Sequence, residues 1–205
     1  MTQQDLFGAA PQQAKTAQSP NKPTARPTYN WFFALQPSVN DSHRIYATTA
    51  ELLAAHSVAG KRTPPERLHI TLEMIGHDLD AEVLDLACHA ADTVSFPAID
   101  VSFNAAMTFS VPGGPFVLLG TDGLDDVRKL WFELSCALAD HGFSPPRSYE
   151  PHMTLCYDPR HRLPRIAVEP IGFHAGEFVL MKSHVGLSKY EVVLTWRLAG
   201  SPTQS

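Results

Sequence analysis

Two short segments of the sequence share one pattern, a histidine followed by an apolar residue, a threonine and a leucine. They are His69–Leu72 and His152–Leu155. Side chains alternate between the two faces of a β-strand, so each segment would present an imidazole and a hydroxyl on one face. The apolar residues between them would face a core. Two such strands brought face to face would place two imidazoles and two hydroxyls in one cleft.

Paired imidazoles suit proton transfer in both directions. Histidine has an unperturbed pKa of about 6.5, so two rings can hold one proton between them near neutral pH. His69 and His152 are therefore predicted to act as a general acid and base pair, as in-line displacement at phosphorus requires. Thr71 and Thr154 would donate hydrogen bonds to the non-bridging phosphoryl oxygens.

Other chemistries have weaker support in the sequence. Neither motif has the helical spacing of two histidines that marks a zinc peptidase, although a metal site assembled from distant residues stays open. Cys156 would share the nominal face of His152 and Thr154, but no neighbouring residue marks it as a nucleophile. A single His-x-Thr is more often structural than catalytic. Two copies favour catalysis, and the remaining histidines are interpreted as structural.

Each motif follows a similar series of elements. Strands are predicted at 29–35 and 116–119, helices at 41–58 and 124–141, and the motif strands after proline-containing loops. Phe33 lies 36 residues before His69, and Val117 lies 35 before His152. A concealed duplication is therefore predicted, with two lobes related by an approximate twofold axis. Between and after these repeats we expect a helix capped by Asp78 or Asp80, a strand at 98–109, and a closing hairpin formed by 172–187 and 190–198.

Composition limits the class of protein. The chain of 205 residues has 44% apolar and 18% charged residues, which fits one globular domain. Its formal net charge of −5 argues against coating long nucleic acid, but a site for one or two phosphates remains compatible. The three cysteines have no metal-ligand spacing and are expected to be reduced. With no membrane-spanning run and no secretory signal, we expect a cytoplasmic protein without membrane contact.

Three regions are predicted along the chain. Residues 1–28 are interpreted as a disordered tail, 29–198 as one domain, and 199–205 as a flexible end. In the tail, Gln3, Leu6 and Phe7 fit the short peptide that docks bacterial proteins onto the polymerase sliding clamp. In the first strand, Phe32 has either of two roles, stacking on a nucleobase or packing under a helix.

The residues resemble a known family. The resemblance covers about residues 29–198 and is carried by His69-x-Thr71-Leu72, Pro151-His152-x-Thr154-Leu155, the strand Trp31–Leu35, and the segment Ser183–Trp196 with Tyr190. These are similar to the 2H phosphoesterase superfamily, and within it to bacterial RNA 2′,3′-cyclic phosphodiesterases, also called 2′-5′ RNA ligases. The resemblance implies a bilobal α+β fold, with antiparallel sheets lining a central cleft and helices packed outside.

It also implies an activity, the metal-independent opening of a 2′,3′-cyclic phosphate to a 2′-phosphate without a cofactor. Substrates would be RNA ends or nucleoside cyclic phosphates, and the reaction could run in reverse as ligation. His152 is expected to activate water and His69 to protonate the departing 3′-oxygen. We expect a monomer. The alternative is a nucleotide or RNA-end binding module of this fold without turnover.

One position departs from the family pattern. Relatives commonly have an arginine two residues after the leucine of the second motif, where this chain has Tyr157. Tyrosine can hydrogen-bond a phosphate but is uncharged at neutral pH. Arg147, Arg160 or Arg62 is expected to supply the missing cation, so Arg147 and Tyr157 join Phe32 as candidate substrate-binding residues.

Overall fold

A computed structural model describes residues 28–157 and 159–199. The helices in this part of the chain are α1 (Val39–Ala55), α2 (Ala81–Asp92) and α3 (Asp125–Asp140), with short 3-10 turns at Pro65–Arg67 and Asp122–Leu124. The strands are β1 (Tyr29–Leu35), β2 (Lys61–Arg62), β3 (Ile70–His77), β4 (Ile99–Thr108), β5 (Phe116–Leu119), β6 (Met153–Tyr157), β7 (Ile166–Ala175), β8 (Glu177–His184) and β9 (Lys189–Arg197).

The strands form one continuous antiparallel sheet. Their order is β7-β4-β5-β6-β3-β1-β8-β9, and β2 pairs with β6 beside this path. The two motif strands, β6 and β3, lie at the centre of this order. Going outward, β5 corresponds to β1 and β4 to β8. The structure thus confirms an α+β fold with antiparallel strands and an internal duplication.

The strand register shows how closely the halves correspond. In the first half Ala34 pairs with Thr71, and in the second half Val117 pairs with Thr154. Each residue of the second pair lies 83 positions after its counterpart in the first (117 minus 34, and 154 minus 71). Phe33 therefore corresponds to Phe116, since both differ by 83 as well. The prediction from sequence, which matched Phe33 with Val117, was therefore wrong by one residue. Phe33 lies 36 residues before His69, and Phe116 lies 36 residues before His152.

The helices cover one face of the sheet, and the main core lies between them. The core-facing side chains of β1, β3, β5 and β6 join the inner faces of all three helices in one apolar cluster. Helix α3 contributes Leu130, Leu134 and Leu138, spaced one turn apart, all completely buried. Gly142, with φ +88°, ends this helix, and the Phe143 N–H donates to the Leu138 carbonyl. The histidine and threonine side chains of the two motifs lie on the opposite face of the sheet.

The predicted elements differ from the observed ones in one important place. The closing hairpin was predicted from residue 172, but 166–175 is a separate strand, β7, paired with β4 at one edge of the sheet. Only Gly176 separates β7 from β8, yet β8 pairs with β1 in the other half of the sheet. Both strands contain buried apolar residues, in β8 as the continuous run Phe178–Met181, so the local sequence could not show that they belong to opposite halves.

Several other predictions lie at the ends of the chain. Gln3, Leu6 and Phe7 fall outside the described residues, as does the rest of the tail to residue 27 and the end from residue 200. Within the described part, no helix is both long and apolar enough to cross a bilayer.

Glu73 is a buried carboxylate on the helix side of the sheet. It is 6% exposed, and it accepts hydrogen bonds from Trp131 Nε1 (3.0 Å) and Ser135 Oγ (3.4 Å) of α3. Burial raises the pKa of Glu73 above its ordinary value, despite these donors. The contact fixes β3 to α3, but the charged form is held in an unfavourable environment.

Because the pKa of Glu73 is raised on folding, its carboxyl stabilises the fold at low pH, and this contribution is lost as pH rises through the raised value. Glu73→Gln keeps an acceptor oxygen and removes the charge. We expect its melting temperature to exceed wild type at pH 8 by about 2–4 °C, and the difference to shrink toward pH 5. Thermal denaturation at both pH values tests this, with the exposed Glu66→Gln as control. A wild type more stable than the variant at pH 8 would contradict it.

Candidate active site

The two motifs lie side by side on neighbouring strands. Ile70 of β3 pairs with Met153 of β6, and both side chains are completely buried in the core. Continuing this antiparallel register by one residue places His69 opposite Thr154 and His152 opposite Thr71. Side chains at such positions share a face, about 4.5–5.5 Å apart at Cβ. The motifs therefore meet within one sheet, not face to face from two separate sheets.

Each imidazole is held by the same contact. His69 Nδ1 lies 2.7 Å from the Arg67 carbonyl oxygen, and His152 Nδ1 lies 2.8 Å from that of Glu150. A carbonyl can only accept, so each Nδ1 must carry the hydrogen. Each Nε2 is then the atom that can take or give a proton in chemistry.

A bulge follows the threonine in both motifs. Along β3, Thr71 pairs with Ala34 but Glu73 pairs with Phe33, so one extra residue, Leu72, lies between them. The same irregularity occurs in β6, where Leu155 is the extra residue. A bulge shifts the alternation of side chains by one residue and often occurs beside active sites. The two motifs thus share backbone geometry as well as residue types.

The bulge changes which residue of β6 reaches the site. Cys156 was predicted to share the face of His152 and Thr154, but it is completely buried in the main core. Tyr157 takes the site face instead, and its hydroxyl interacts with those of Thr154 and Tyr190. The side chains of β6 do not alternate strictly here, because β6 advances two residues, from Thr154 to Cys156, where β5 advances one.

His69 lies in a less polar environment than an exposed imidazole. Its ring is 5.2 Å from the ring of Phe32 and 5.4 Å from that of Tyr190, measured between centroids. The pKa of His69 is lowered to about 4, chiefly by burial, with positive charge on His152 and Arg67 acting in the same direction and the hydrogen bond to the Arg67 carbonyl opposing them. The electrostatic coupling of the two rings is consistent with their positions on adjacent strands.

Phe32 packs against the ring of His69. Its side chain is only 4% exposed and packs with Ala34, Val179 and Met181. The prediction that Phe32 stacks on a nucleobase is not supported, because its ring is covered by neighbouring side chains. Its packing role was the other alternative, although it packs under His69 and not under a helix.

A cation lies beside His69 at a position that the sequence did not single out. Arg67 Nη2 donates to the Tyr190 hydroxyl (3.3 Å), and the guanidinium carbon lies 4.6 Å from the centre of that ring. Its Nε is buried and has no hydrogen-bond partner in the described structure. Arg67 also acts electrostatically on Tyr157. A motif search misses Arg67 because it lies in a 3-10 turn before the strand. The alternation of a strand does not predict the direction of a side chain in such a turn.

The three arginines predicted to supply the cation are placed differently. Arg62 turns toward α1, where it donates to the Tyr46 carbonyl (2.6 Å) and lies over the Tyr46 ring. Arg147 and Arg160 are exposed. None of the three has a contact with His69, His152 or Tyr157 in the described hydrogen bonds, whereas Arg67 contacts the tyrosine pair.

His152 has a different neighbour. The ring of Phe109, at the end of β4, lies edge-on to it with centroids 4.8 Å apart. Phe109 packs with Met107 against a small apolar cluster on the same face of the sheet, made of Ala105, Val117 and Leu119. Sequence reasoning missed Phe109, although its alternation with Met107 along a predicted strand was a usable signal.

Within the described residues, no three or more His, Cys, Asp or Glu side chains are arranged to hold a metal ion. The groups that converge at the site are two imidazoles, two threonine hydroxyls, two tyrosines and one guanidinium. This set can transfer protons and bind an anion.

Comparison with known proteins agrees with the fold and identifies a family. The model of the 2′-5′ RNA ligase superfamily matches residues 37–187. An RNA 2′,3′-cyclic phosphodiesterase of Thermotoga maritima is 30% identical over 92 residues, which are 44% of this chain and 49% of that protein. The match thus spans about half the length of this curated relative.

Solved structures show the same fold. E. coli LigT in its apo form superposes with a TM-score of 0.66 at 21% identity, covering 84% of this chain and 98% of LigT. LigT complexed with 3′-AMP gives 0.66 at 23% identity, with 84% and 99% covered. A protein of Thermus thermophilus gives 0.64 at 17% identity, with 84% and 100% covered. With a family model that matches most of its length and a sheet of the same fold, the chain belongs to the 2′-5′ RNA ligase superfamily of 2H phosphoesterases.

Proposed function

We propose that this protein is a phosphodiesterase that opens RNA 2′,3′-cyclic phosphates to 2′-phosphates. The observation that carries the proposal is the pair of imidazoles, each held at Nδ1 by a carbonyl two residues earlier, on adjacent strands with a threonine opposite each. The name of the Thermotoga relative and the 3′-AMP bound by LigT support this substrate class.

In the proposed reaction, one imidazole takes a proton from water as the water oxygen attacks phosphorus. The bond from phosphorus to the 3′-oxygen breaks, and the other imidazole donates a proton to that oxygen. Thr71 and Thr154 donate to the non-bridging oxygens, where negative charge increases. A 5′-hydroxyl of a second RNA end in place of water would give a 2′-5′ linkage, which is the proposed ligase reaction.

The roles of the two rings depend on their surroundings. The sequence-based hypothesis makes His152 the base and His69 the acid. In the ligand-free protein, burial lowers the pKa of His69 and favours its neutral form, which is the form of a base. A bound phosphate anion favours the protonated form of both rings, so the roles are set in the complex.

Arg67 is proposed to supply the positive charge that relatives place at the position of Tyr157. Its guanidinium donates to the Tyr190 hydroxyl through Nη2 and acts electrostatically on Tyr157 and His69, and its Nε has no hydrogen-bond partner in the described structure. A guanidinium on a phosphate forms charge-assisted hydrogen bonds, which are stronger than those of a tyrosine hydroxyl. Sliding-clamp docking through Gln3, Leu6 and Phe7, a monomeric state and a cytoplasmic location stay predictions.

The central test measures turnover of adenosine 2′,3′-cyclic phosphate in EDTA. His69→Ala and His152→Ala should each lower kcat by about 10²- to 10⁴-fold, because each removes one proton-transfer group. The product should be the 2′-phosphate. His161→Ala is the control, since its side chain is exposed outside the motifs. Binding of 2′-AMP to a wild type without turnover would instead support the binding module.

A substrate with a good leaving group separates the acid from the base. Bis(p-nitrophenyl) phosphate releases p-nitrophenolate, which needs no protonation. The variant that lacks the acid should keep much more of wild-type activity on this substrate than on the cyclic phosphate, and the variant that lacks the base should lose both. Selective rescue of His69→Ala would support the sequence-based assignment. Selective rescue of His152→Ala would reverse it.

The titration of His69 is a second test. In the ligand-free protein its ring should remain neutral on acidification from pH 7.5 to pH 5, because burial lowers its pKa to about 4. Addition of 2′-AMP should move the midpoint upward. Histidine Hε1 chemical shifts, assigned with His69→Gln, measure both effects. A ligand-free midpoint above pH 6 would contradict the buried environment.

Exchange of the cation tests the role of Arg67. Arg67→Gln should lower kcat/KM about 10- to 100-fold through lost charge-assisted hydrogen bonds. Adding Tyr157→Arg to this variant should restore part of the loss, because it returns a guanidinium to the position that relatives use. Arg147→Gln should stay within about twofold of wild type. If Arg67→Gln is as active as wild type, another group holds the phosphate.

A further inference from the structure

We propose that Phe109 is the stacking surface for the nucleobase, and that it fixes the substrate with its nucleoside on the His152 side of the site. This inference rests on the proposed function and adds an orientation and a specificity residue to it. Three aromatic rings touch the motif histidines, namely Phe32 and Tyr190 at His69 and Phe109 at His152.

Only one of the three suits a base. Phe32 is 4% exposed, and Tyr190 already has the Arg67 guanidinium over its ring. Phe109 is partly exposed and has its centroid 4.8 Å from that of His152. In a nucleoside cyclic phosphate, a single ribose separates the base from the phosphorus. A base on Phe109 would therefore leave the phosphate beyond the His152 ring, toward His69.

The charges of the site favour the same orientation. The guanidinium lies on the His69 side, with Tyr190 and Tyr157. The His152 side has apolar side chains, Phe109 and Met107 over Val117. An anionic phosphate on the first side and a flat, weakly polar base on the second would match both surfaces. The scaffold is nearly symmetric, so this difference is what would make one orientation preferable.

Several contacts hold Phe109 in place. Its N–H donates to the Pro115 carbonyl (3.0 Å), and its own carbonyl accepts from Arg162, which also donates to the Val111 carbonyl (3.1 Å). Gly114 lies so close that an added Cβ would overlap the Phe109 carbonyl oxygen. A side chain at this glycine would displace the backbone of Phe109. A ring held this way can stack on a base with little loss of its own conformational freedom.

The experiment compares adenosine 2′,3′-cyclic phosphate with 1-O-methylribose 2′,3′-cyclic phosphate, which has no base. Phe109→Ala should lower kcat/KM for the adenosine substrate about 10- to 100-fold, the usual contribution of one stacked base. The base-free substrate should be almost unaffected, and Phe109→Trp should retain preference for adenosine. Gly114→Ala should give the same selective loss, because it moves the ring without removing it.

Phe32→Leu is the matched control. It should reduce turnover of both substrates equally, since it acts through His69. Equal loss for both substrates in Phe109→Ala, or no loss, would overturn the proposal. If wild type turns over neither substrate, the proposed function fails, and stacking is then judged from the affinity for 2′-AMP against ribose 2-phosphate. Melting temperatures show whether each variant is folded.

Discussion

The face that carries the histidines and threonines of the two motifs depends on one antiparallel contact, the pairing of β3 with β6 at Ile70 and Met153. Each motif alone provides one imidazole and one hydroxyl. The contact brings the two sets onto one face, because the residues on either side of this pair alternate toward the same surface. Its own side chains point the other way and are completely buried beneath the helices. Burial of the core thus sets the register that places the two imidazoles and the two hydroxyls.

The bulges at Leu72 and Leu155 extend this arrangement. Each places two successive residues in the core and returns the chain to the site face one residue later. In the first half the second core residue is Glu73, held by α3, and in the second it is Cys156. The repeated element is therefore a histidine, a threonine and a bulge, with a backbone geometry that both halves share at a constant offset of 83 residues (154 minus 71).

The symmetry of the backbone contrasts with the side chains around it. Two rings with the same motif and the same Nδ1 contact have different neighbours, since His69 lies among Phe32, Tyr190 and Arg67, whereas His152 lies against Phe109. A general acid and a general base are one protonated and one neutral group, and unlike surroundings are a way to assign the two roles to different rings. The duplication supplies the geometry, and the residues around it give the two rings different surroundings.

The α+β class was implied by the resemblance to the 2H phosphoesterases. The sequence by itself determined the repeated motifs, their strand context, and the strand and helix that precede each of them. These are local patterns, because periodicity and turn residues act over a few positions. Tertiary structure decided the features that depend on contacts between distant segments. It placed β7 and β8 in opposite halves, turned Cys156 inward and Tyr157 outward, covered Phe32, and brought Arg67 and Phe109 to the two histidines. A bulge or a loop side chain has no periodic signal, so its direction is fixed only when the neighbouring strand is in place.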